Sequence, residues 1–125
     1  MTTWTSGELG AIGGADELRI AARRPDGTLR SQVTIWVVRA GDDLYVRAFK
    51  GVESPWYRGV LATRDGRVES GGVTRDVTFS DEADPDVLDA VDAAYRDKYR
   101  HYSAQYLDPM VTETARDATV RLVPR

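Results

Sequence analysis

The sequence predicts a mainly β (α+β) domain, an antiparallel β-barrel of about six strands with a short N-terminal helix and one long C-terminal helix. Apolar and polar residues alternate through much of the chain before position 80, which is the periodicity of half-buried strands. Short turns rich in Gly and Asp separate these segments and favour antiparallel neighbours. Helices are predicted only near the two ends of the chain. Strands joined by hairpins favour a barrel capped by helices over a doubly wound parallel sheet.

The N-terminal helix is predicted to begin at Ser6. Thr5 and Glu8 have the spacing of a capping box, in which each side chain bonds the backbone N–H of the other residue. The Gly13-Gly14 pair then ends the helix. The first strand follows over Leu18 to Arg23 and ends in a Pro-Asp-Gly turn.

A central hairpin is the most regular part of the pattern. Alternate residues are apolar in Val33 to Arg39 and again in Leu44 to Phe49, on the two sides of the Gly41-Asp42-Asp43 turn. Each of these strands should therefore bury one face.

The later strands are predicted from a second turn signal. Asp65-Gly66 fits a two-residue hairpin turn, which makes strands of Val60 to Thr63 and Arg67 to Gly71. Gly71-Gly72 is interpreted as a bulge or corner. The remaining predicted strands are Val73 to Phe79 and Ala118 to Val123.

The long C-terminal helix is predicted to begin at Asp84-Pro85, an N-cap followed by proline at the first helical position, and to run to about Leu107. Its apolar residues recur at spacings of three and four, so they should pack on the sheet. A phenol hydroxyl buried at the mouth of the barrel needs a hydrogen-bond partner, so one or two of the tyrosines are candidates to face a ligand there. The residues in this series are Val87 or Leu88, Val91, Tyr95, Tyr99, Tyr102 and Tyr106.

The composition excludes several kinds of chemistry. There is no cysteine, so thiolate catalysis and disulfides are excluded. The single histidine, His101, leaves little basis for a Ser-His-Asp hydrolase. The acidic residues at 81–86 fit a helix start, and no ligand spacing indicates a metal site. The glycine-rich pieces match neither a dinucleotide fingerprint nor a phosphate loop.

The charge distribution indicates the kind of partner. The net charge is −3, yet residues 19–75 carry eleven Arg and Lys against six Asp and Glu. Such a local basic surface suits a small anionic ligand better than nucleic acid. No apolar run approaches the roughly 18 residues of a membrane span, and the N-terminus lacks the features of a signal peptide. We therefore expect one domain over residues 1–125, cytoplasmic, without membrane or nucleic-acid partners.

The loop after the central hairpin is the candidate site. It combines cations and hydroxyls, which bind phosphate or carboxylate, with flat rings that can contact an aromatic ligand. With so few catalytic residue types in the chain, a bound flavin-type cofactor fits, since such a cofactor carries the difficult chemical step itself. The same residues are also typical of solvated strand ends and packing anchors. The loop residues concerned are Arg47, Lys50, Ser54, Trp56, Tyr57 and Arg58.

The segment LRIAARRPDGTLRSQVTIWVVRAGDDLYVRAFKG, followed by SPWYRGVLATRDGRVESGG, resembles the split-barrel flavin and deazaflavin oxidoreductases, in particular the deazaflavin-dependent nitroreductases. That resemblance covers residues 18–72. Over nearly the whole chain, the sequence is similar to a compact bacterial domain-of-unknown-function family of the same superfamily. The resemblance implies a split barrel, FMN or a deazaflavin as cofactor, and a homodimer with its site at the subunit contact.

The resemblance also implies which residues meet the cofactor, although it assigns no catalytic residue. The phosphate or tail would be met by Arg30, Ser31, Thr34, Arg47, Lys50 and Ser54. Trp36, Trp56 and Tyr57 would border the ring, and Arg58 would reach a phosphate or carboxylate on the tail. One position departs from the family pattern, because the oxidoreductases usually have Asn where this chain has Gly59.

Three functions remain open from the sequence. The first is a flavin- or deazaflavin-dependent oxidoreductase that transfers hydride to a small conjugated organic substrate. The second is a cofactor-independent enzyme, a cyclase or isomerase, or a ligand-binding module that uses the same cleft; Gly59 favours it, because glycine supplies no side-chain hydrogen bond to a cofactor. The third is a structural or regulatory partner protein without a small-molecule site.

Overall fold

The computed structural model describes residues 3–125. Its strands are β1 Leu18–Ala22, β2 Val33–Ile35, β3 Val38–Ala40, β4 Asp43–Arg47, β5 Asp65–Ser70, β6 Val73–Asp81 and β7 Thr119–Pro124. They form one antiparallel sheet in the order β2-β1-β5-β6-β7-β4-β3. The two edge strands, β2 and β3, are consecutive in the chain, and only Trp36 and Val37 separate them. The sheet is therefore curled, with its two edges joined by a two-residue break.

This architecture confirms the predicted mainly β antiparallel barrel. The predicted strand Val33 to Arg39 is divided in the structure: its first half pairs with β1 and its second half with β4. Counted as one divided strand, it gives the expected six, and the division is what splits the barrel. The backbone of Val37 bonds to side chains of a helix instead of a neighbouring strand.

Five helices accompany the sheet in the described residues. The first, α1, has the predicted capping box: Thr5 Oγ1 accepts from the Glu8 N–H at 3.1 Å, and Glu8 Oε1 accepts from the Thr5 N–H at 2.9 Å. Single turns of 3₁₀-helix lie at Gly51–Glu53 and Asp108–Val111. The helices are α1 Ser6–Gly13, α2 Pro55–Thr63, α3 Pro85–Lys98, α4 Ala104–Leu107 and α5 Glu113–Asp117. None of the helices in this range is long and apolar enough to cross a membrane.

The prediction of a strand over Val60 to Thr63 is wrong, because these residues form the second half of α2. Pro55 occupies the first helical turn, and Arg64 ends the helix in the left-handed conformation at φ 58°. Asp65-Gly66 is not a turn but the start of β5. The hairpin between β5 and β6 turns instead at the two glycines after Ser70, whose φ values of 58° and 83° favour glycine.

The predicted C-terminal helix is shorter than expected. It begins where the sequence indicates, with the Asp84 side chain accepting from the Asp86 N–H, but α3 ends at Lys98. Only the first part of the aromatic series packs on the barrel: Tyr95 and Tyr99 are fully buried, whereas Tyr102 is 37% exposed. The chain turns at Tyr99 and continues into the short α4 and α5, so the residues after Tyr99 follow another direction.

Two apolar cores result. The larger one fills the barrel, and Trp4 closes part of it by donating from Nε1 to the Leu122 carbonyl at 2.9 Å. The smaller one lies outside the barrel, beneath α3, and contains Val38, Tyr45, Val91, Tyr95, Tyr99 and Met110. Because the second core extends from Val38 to Met110, it joins the break in the barrel to the chain that follows α3.

Candidate functional site

A cleft of about 310 Å³ lies at the break between β2 and β3. Its size is at the lower end of the roughly 300–1,000 Å³ typical of small-molecule sites. The lining is mainly apolar and aromatic and comes from β2 and the break, from the end of β4, from the start of α2 and from the chain around α4. Among its members are Thr34, Trp36, Arg47, Phe49, Trp56 and Met110.

Two indole rings, those of Trp36 and Trp56, belong to this lining. Trp36 stacks on Tyr99, with ring centroids 3.9 Å apart and planes inclined by 4°. Trp56 makes an edge-on contact with Tyr57 at 6.0 Å and packs against the barrel core. Each indole is thus supported from the protein side while still lining the cleft. Such fixed aromatic surfaces bind a planar ring with little loss of side-chain freedom.

The Arg47 side chain lies in the wall of the cleft and is fully buried. Its Nε donates to Thr119 Oγ1 at 2.8 Å, and its Nη1 donates to Asp92 Oδ1 at 2.5 Å and to the Met110 carbonyl at 2.9 Å. Nη2 donates to the Leu88 carbonyl at 3.1 Å. Four of the five guanidinium N–H groups are therefore used within the protein. Arg47 is therefore a fixed part of the wall, and its contact with a cofactor tail, which the resemblance implies, stays a prediction.

A second groove, of about 270 Å³, adjoins the cleft and shares Trp56 with it. Its lining is more polar and includes Arg24, Arg30 and Ser31. The Arg30 Nε atom is buried and has no hydrogen-bond partner among the described residues. Cations and a hydroxyl therefore lie next to an aromatic cleft, which is the arrangement that a ligand with a ring and an anionic tail requires.

Gly59 explains how Arg30 is placed. A Cβ atom on residue 59 would lie 3.0 Å from Arg30 Cδ and 3.1 Å from Arg30 Nε. The arginine side chain therefore packs directly over the glycine of α2. An asparagine here, as the resembling oxidoreductases have, would meet the arginine in its present position, so the glycine is what allows Arg30 to pack on α2.

A model of a bacterial family, described as uncharacterized protein conserved in bacteria (DUF2255), matches residues 8–122. The chain belongs to this family. No curated protein matches it. The predicted membership of a bacterial domain-of-unknown-function family with the split-barrel fold is confirmed.

Solved structures share the fold of this DUF2255 protein at low sequence identity. The conserved hypothetical protein Rv2991 from Mycobacterium tuberculosis aligns with a TM-score of 0.70 and 15% identity, over 98% of this chain and 81% of that one. The heme storage protein HutZ from Vibrio cholerae gives 0.69 and 13%, over 96% and 89%. A structure described as F420 reductase gives 0.57 and 19%, over 98% and 94%. At identities this low, the structural alignments establish the shared fold alone.

The structure brings some predicted site residues together and separates others. Thr34, Trp36, Arg47 and Trp56 line the cleft, and Arg30 and Ser31 line the adjoining groove. Lys50 is exposed, with Nζ 5.7 Å from the ring of Phe49. Three predicted residues lie in neither lining: Ser54 is buried at the N-cap of α2, Tyr57 is buried in the barrel core, and Arg58 is exposed and donates to the Glu53 carbonyl.

Sequence reasoning missed part of the lining. Phe49, Gln105, Pro109 and Met110 line the cleft but were not predicted as site residues. Tyr106 also lines the cleft, so it is the member of the predicted tyrosine series that faces the candidate ligand site. The exposed aromatic residue next to Lys50 was a usable signal, whereas nothing local indicates that residues 105–110 fold back over the end of β4.

Lys98 is an unusual group behind the cleft. Its Nζ donates to the Val37 carbonyl at 2.6 Å and lies 5.1 Å from the ring centroid of Tyr99. Burial lowers the pKa of Lys98 from 10.5 to about 8, and the Asp16 carboxylate opposes this shift. A neutral amine still donates to the carbonyl, so deprotonation preserves the bond and removes the cost of a partly buried charge.

We expect this shift to make stability depend on pH. Between about pH 8 and 10.5 the folded protein binds fewer protons at Lys98 than the unfolded chain, so the contribution is full above 10.5 and is lost as the pH falls through 8. The free energy of unfolding of the native protein relative to Lys98→Met should therefore rise by about 1 kcal/mol between about pH 7 and pH 9.5, after allowance for solvent screening, and the Tm difference should rise with it. Thermal melts of both proteins at matched ionic strength measure the difference, and parallel curves would contradict the expectation.

Proposed function

We propose that this protein binds a flavin or deazaflavin, with FMN as the simplest case, and acts as an oxidoreductase that transfers hydride to a small conjugated organic substrate. One observation carries the proposal: the aromatic cleft at the barrel break adjoins a groove that contains Arg24, Arg30 and Ser31, and Trp56 lines both. A ring in the cleft and an anionic tail in the groove would use both halves of this surface.

The residues present fit such a ligand. Trp36 and Trp56 would flank the ring, the apolar lining around Met110 would exclude water, and the buried Nε of Arg30 marks a guanidinium not yet committed to a protein partner. When bound, the cofactor would supply the hydride chemistry, and the chain would bind, orient and desolvate it. Arg47 would contribute a fixed positive charge beside the ring, partly offset by Asp92.

The shared fold supports a ring-shaped ligand. F420, named in one of the similar structures, is a deazaflavin, and heme, stored by another, is also a planar conjugated ring. A bound heme normally requires an axial ligand such as His, Cys, Tyr or Met. The lining of the cleft includes Tyr106 and Met110, so heme is the competing ring that a binding test has to include.

We also propose a cytoplasmic homodimer. Large apolar side chains are exposed at the rim of the cleft or near it: Phe49 is 49% exposed, Tyr106 is 59% exposed and Val52 is 65% exposed. A partner subunit over this rim would bury them and enclose the ligand, in agreement with the resemblance to the split-barrel oxidoreductases. Light scattering of the purified protein tests the assembly: the native protein should have the mass of a dimer, and Phe49→Ser should shift the mass towards that of a monomer.

A titration with FMN and with riboflavin, which lacks the phosphate, tests the ligand and its orientation together. We expect the native protein to bind FMN about 10- to 100-fold more tightly than riboflavin, because a charge-assisted bond to Arg30 contributes about 1.5–3 kcal/mol. Arg30→Met should remove this preference and leave the Tm nearly unchanged, since Nε has no partner to lose. Flavin fluorescence quenching gives both affinities.

Arg58→Met is the matched control, because Arg58 lies on the same helix as Gly59 but outside both linings. It should keep the preference for FMN. Equal affinities for FMN and riboflavin in the native protein would contradict the placement of the tail. Binding of hemin alone, with no response to FMN or to a deazaflavin, would contradict the cofactor assignment. Turnover of quinones, nitro compounds and enones by the reduced complex then tests the reaction.

The packing of Arg30 on Gly59 favours a second candidate function. This chain lacks the Asn of the oxidoreductases, so the same cleft can serve a cofactor-independent enzyme, a cyclase or isomerase, or a ligand-binding module. Turnover of an organic substrate by flavin-free protein would establish it. A partner protein without a small-molecule site predicts instead that no aromatic anion raises the Tm, because a ligand of the native state must do so.

A further inference from the structure

The wall of the cleft that contains Trp36 is supported from behind by α3. Trp36 and Tyr99 are stacked at 3.9 Å with nearly parallel planes, and the Tyr102 ring is 5.0 Å from Trp36. Tyr99 is fully buried, so its ring cannot move without repacking the smaller core. The position of Trp36 therefore depends on how firmly Tyr99 and the break are held.

The break itself is held by side chains. Val37 is fully buried, and its N–H donates to the Tyr99 hydroxyl at 3.2 Å. The Val37 carbonyl accepts from Lys98 Nζ at 2.6 Å and lies 3.0 Å from the Tyr99 hydroxyl, whose single hydrogen also has the Asp16 carbonyl within 2.7 Å. A buried backbone group without a partner is costly, so these two side chains replace the strand that Val37 lacks.

We propose that Tyr99 and Lys98 are positioning residues for the candidate site: by bonding both backbone groups of Val37 they fix the break in the barrel and with it the ring wall formed by Trp36. The identity of the ligand rests on the proposed function, whereas the positioning of Trp36 does not. Neither side chain is among the residues that line the cleft, so both act through Trp36.

Tyr95 provides a matched control on the same helix. It precedes Tyr99 by one turn, is also fully buried, and its ring centroid is 6.1 Å from that of Tyr99. Its hydroxyl, however, has no hydrogen-bond partner among residues 3–125. Tyr95→Phe and Tyr99→Phe are thus the same chemical change in the same core, and only the second removes bonds to the break.

The experiment follows the indole N–H resonances of the three tryptophans in ¹⁵N-labelled protein, assigned with Trp→Phe variants. Tyr99→Phe should shift and broaden the Trp36 resonance, leave the Trp4 resonance in place, and weaken FMN binding about tenfold. Tyr95→Phe should change neither the Trp36 resonance nor the affinity. Lys98→Met should shift the Trp36 resonance in the same direction by a smaller amount, and it decides the question if Tyr99→Phe does not fold.

Two results would overturn the proposal. The first is a Trp36 resonance that is unchanged in Tyr99→Phe, or in Lys98→Met if only that variant folds. The second is an equal disturbance of all three indoles, which would make the role merely structural. If native protein binds no flavin, the proposed function fails while the Trp36 resonance still tests the positioning, so the two failures are distinguishable.

Discussion

Replacing Arg47 with Met is expected to lower the free energy of unfolding by about 3–5 kcal/mol, the cost of breaking a buried ion pair by removing one partner. The substitution leaves the Asp92 carboxylate with Arg116 alone and deprives the Met110 and Leu88 carbonyls of a donor. Urea denaturation monitored by tryptophan fluorescence measures the loss. Arg58→Met, which removes only one exposed bond, should change stability by less than about 0.5 kcal/mol.

The double variant Arg47→Met with Asp92→Leu separates charge from packing. With both ionic groups replaced by apolar ones, part of the lost stability should return, because the uncompensated carboxylate is gone. A loss below about 1 kcal/mol in Arg47→Met would contradict the buried ion pair. A large loss also means that weaker ligand binding by this variant reports a disturbed wall, so Arg30 is the better residue with which to test binding.

Arg47 illustrates which features of this site can be predicted from the sequence and which cannot. Its position near a loop of cations and rings indicates a ligand contact, and it does line the cleft. The acceptors that hold its guanidinium lie 41 to 72 residues further along the chain, in α3, the segment at Met110 and β7. No local pattern contains those partners, so the burial of the charge could not be predicted.

The division of the predicted strand after Ile35 could not be predicted either, because the side chains that cause it also lie far along the chain. The segment contains no glycine or proline, and its alternation is that of a continuous strand. The backbone partners of Val37 are on Tyr99 and Lys98, 62 and 61 residues away. Tertiary contacts thus determine where the barrel splits, although the alternation correctly predicted strands on both sides of the split.

The helix α2 is a different case, because the signal was present in the sequence. Ser54 followed by Pro55 is the same N-cap and N1 pattern that correctly predicted the start of α3 at Asp84. Tyr57, Val60 and Leu61 then repeat at helical spacing and pack against the barrel core. The Asp-Gly dipeptide that follows favoured a hairpin turn and led to the wrong assignment.

Because Gly66 of that dipeptide lies inside β5 and not in a turn, we expect Gly66→Ala to lower the free energy of unfolding by about 3 kcal/mol or more. Gly66 is buried in β5, and a Cβ there would collide with the Ala21 carbonyl oxygen and lie 2.9 Å from Cε2 of Phe79. Backbone on one side and a buried ring on the other leave no room for relaxation. Gly10→Ala, with nothing within 4 Å of the added atom, should instead stabilise α1 by about 0.5–1 kcal/mol.

Gly66→Asn distinguishes the strand from the turn that the sequence suggested. Asparagine tolerates the left-handed conformation of a two-residue hairpin turn, so at a turn it would cost little. In the packed strand it adds a larger and polar side chain at a site already too small for a methyl group, so it should destabilise the protein at least as much as Gly66→Ala. Thermal melts decide between these outcomes: a near-native Tm for Gly66→Asn would mean that β5 does not contact β1 and Phe79 as closely as its glycine requires.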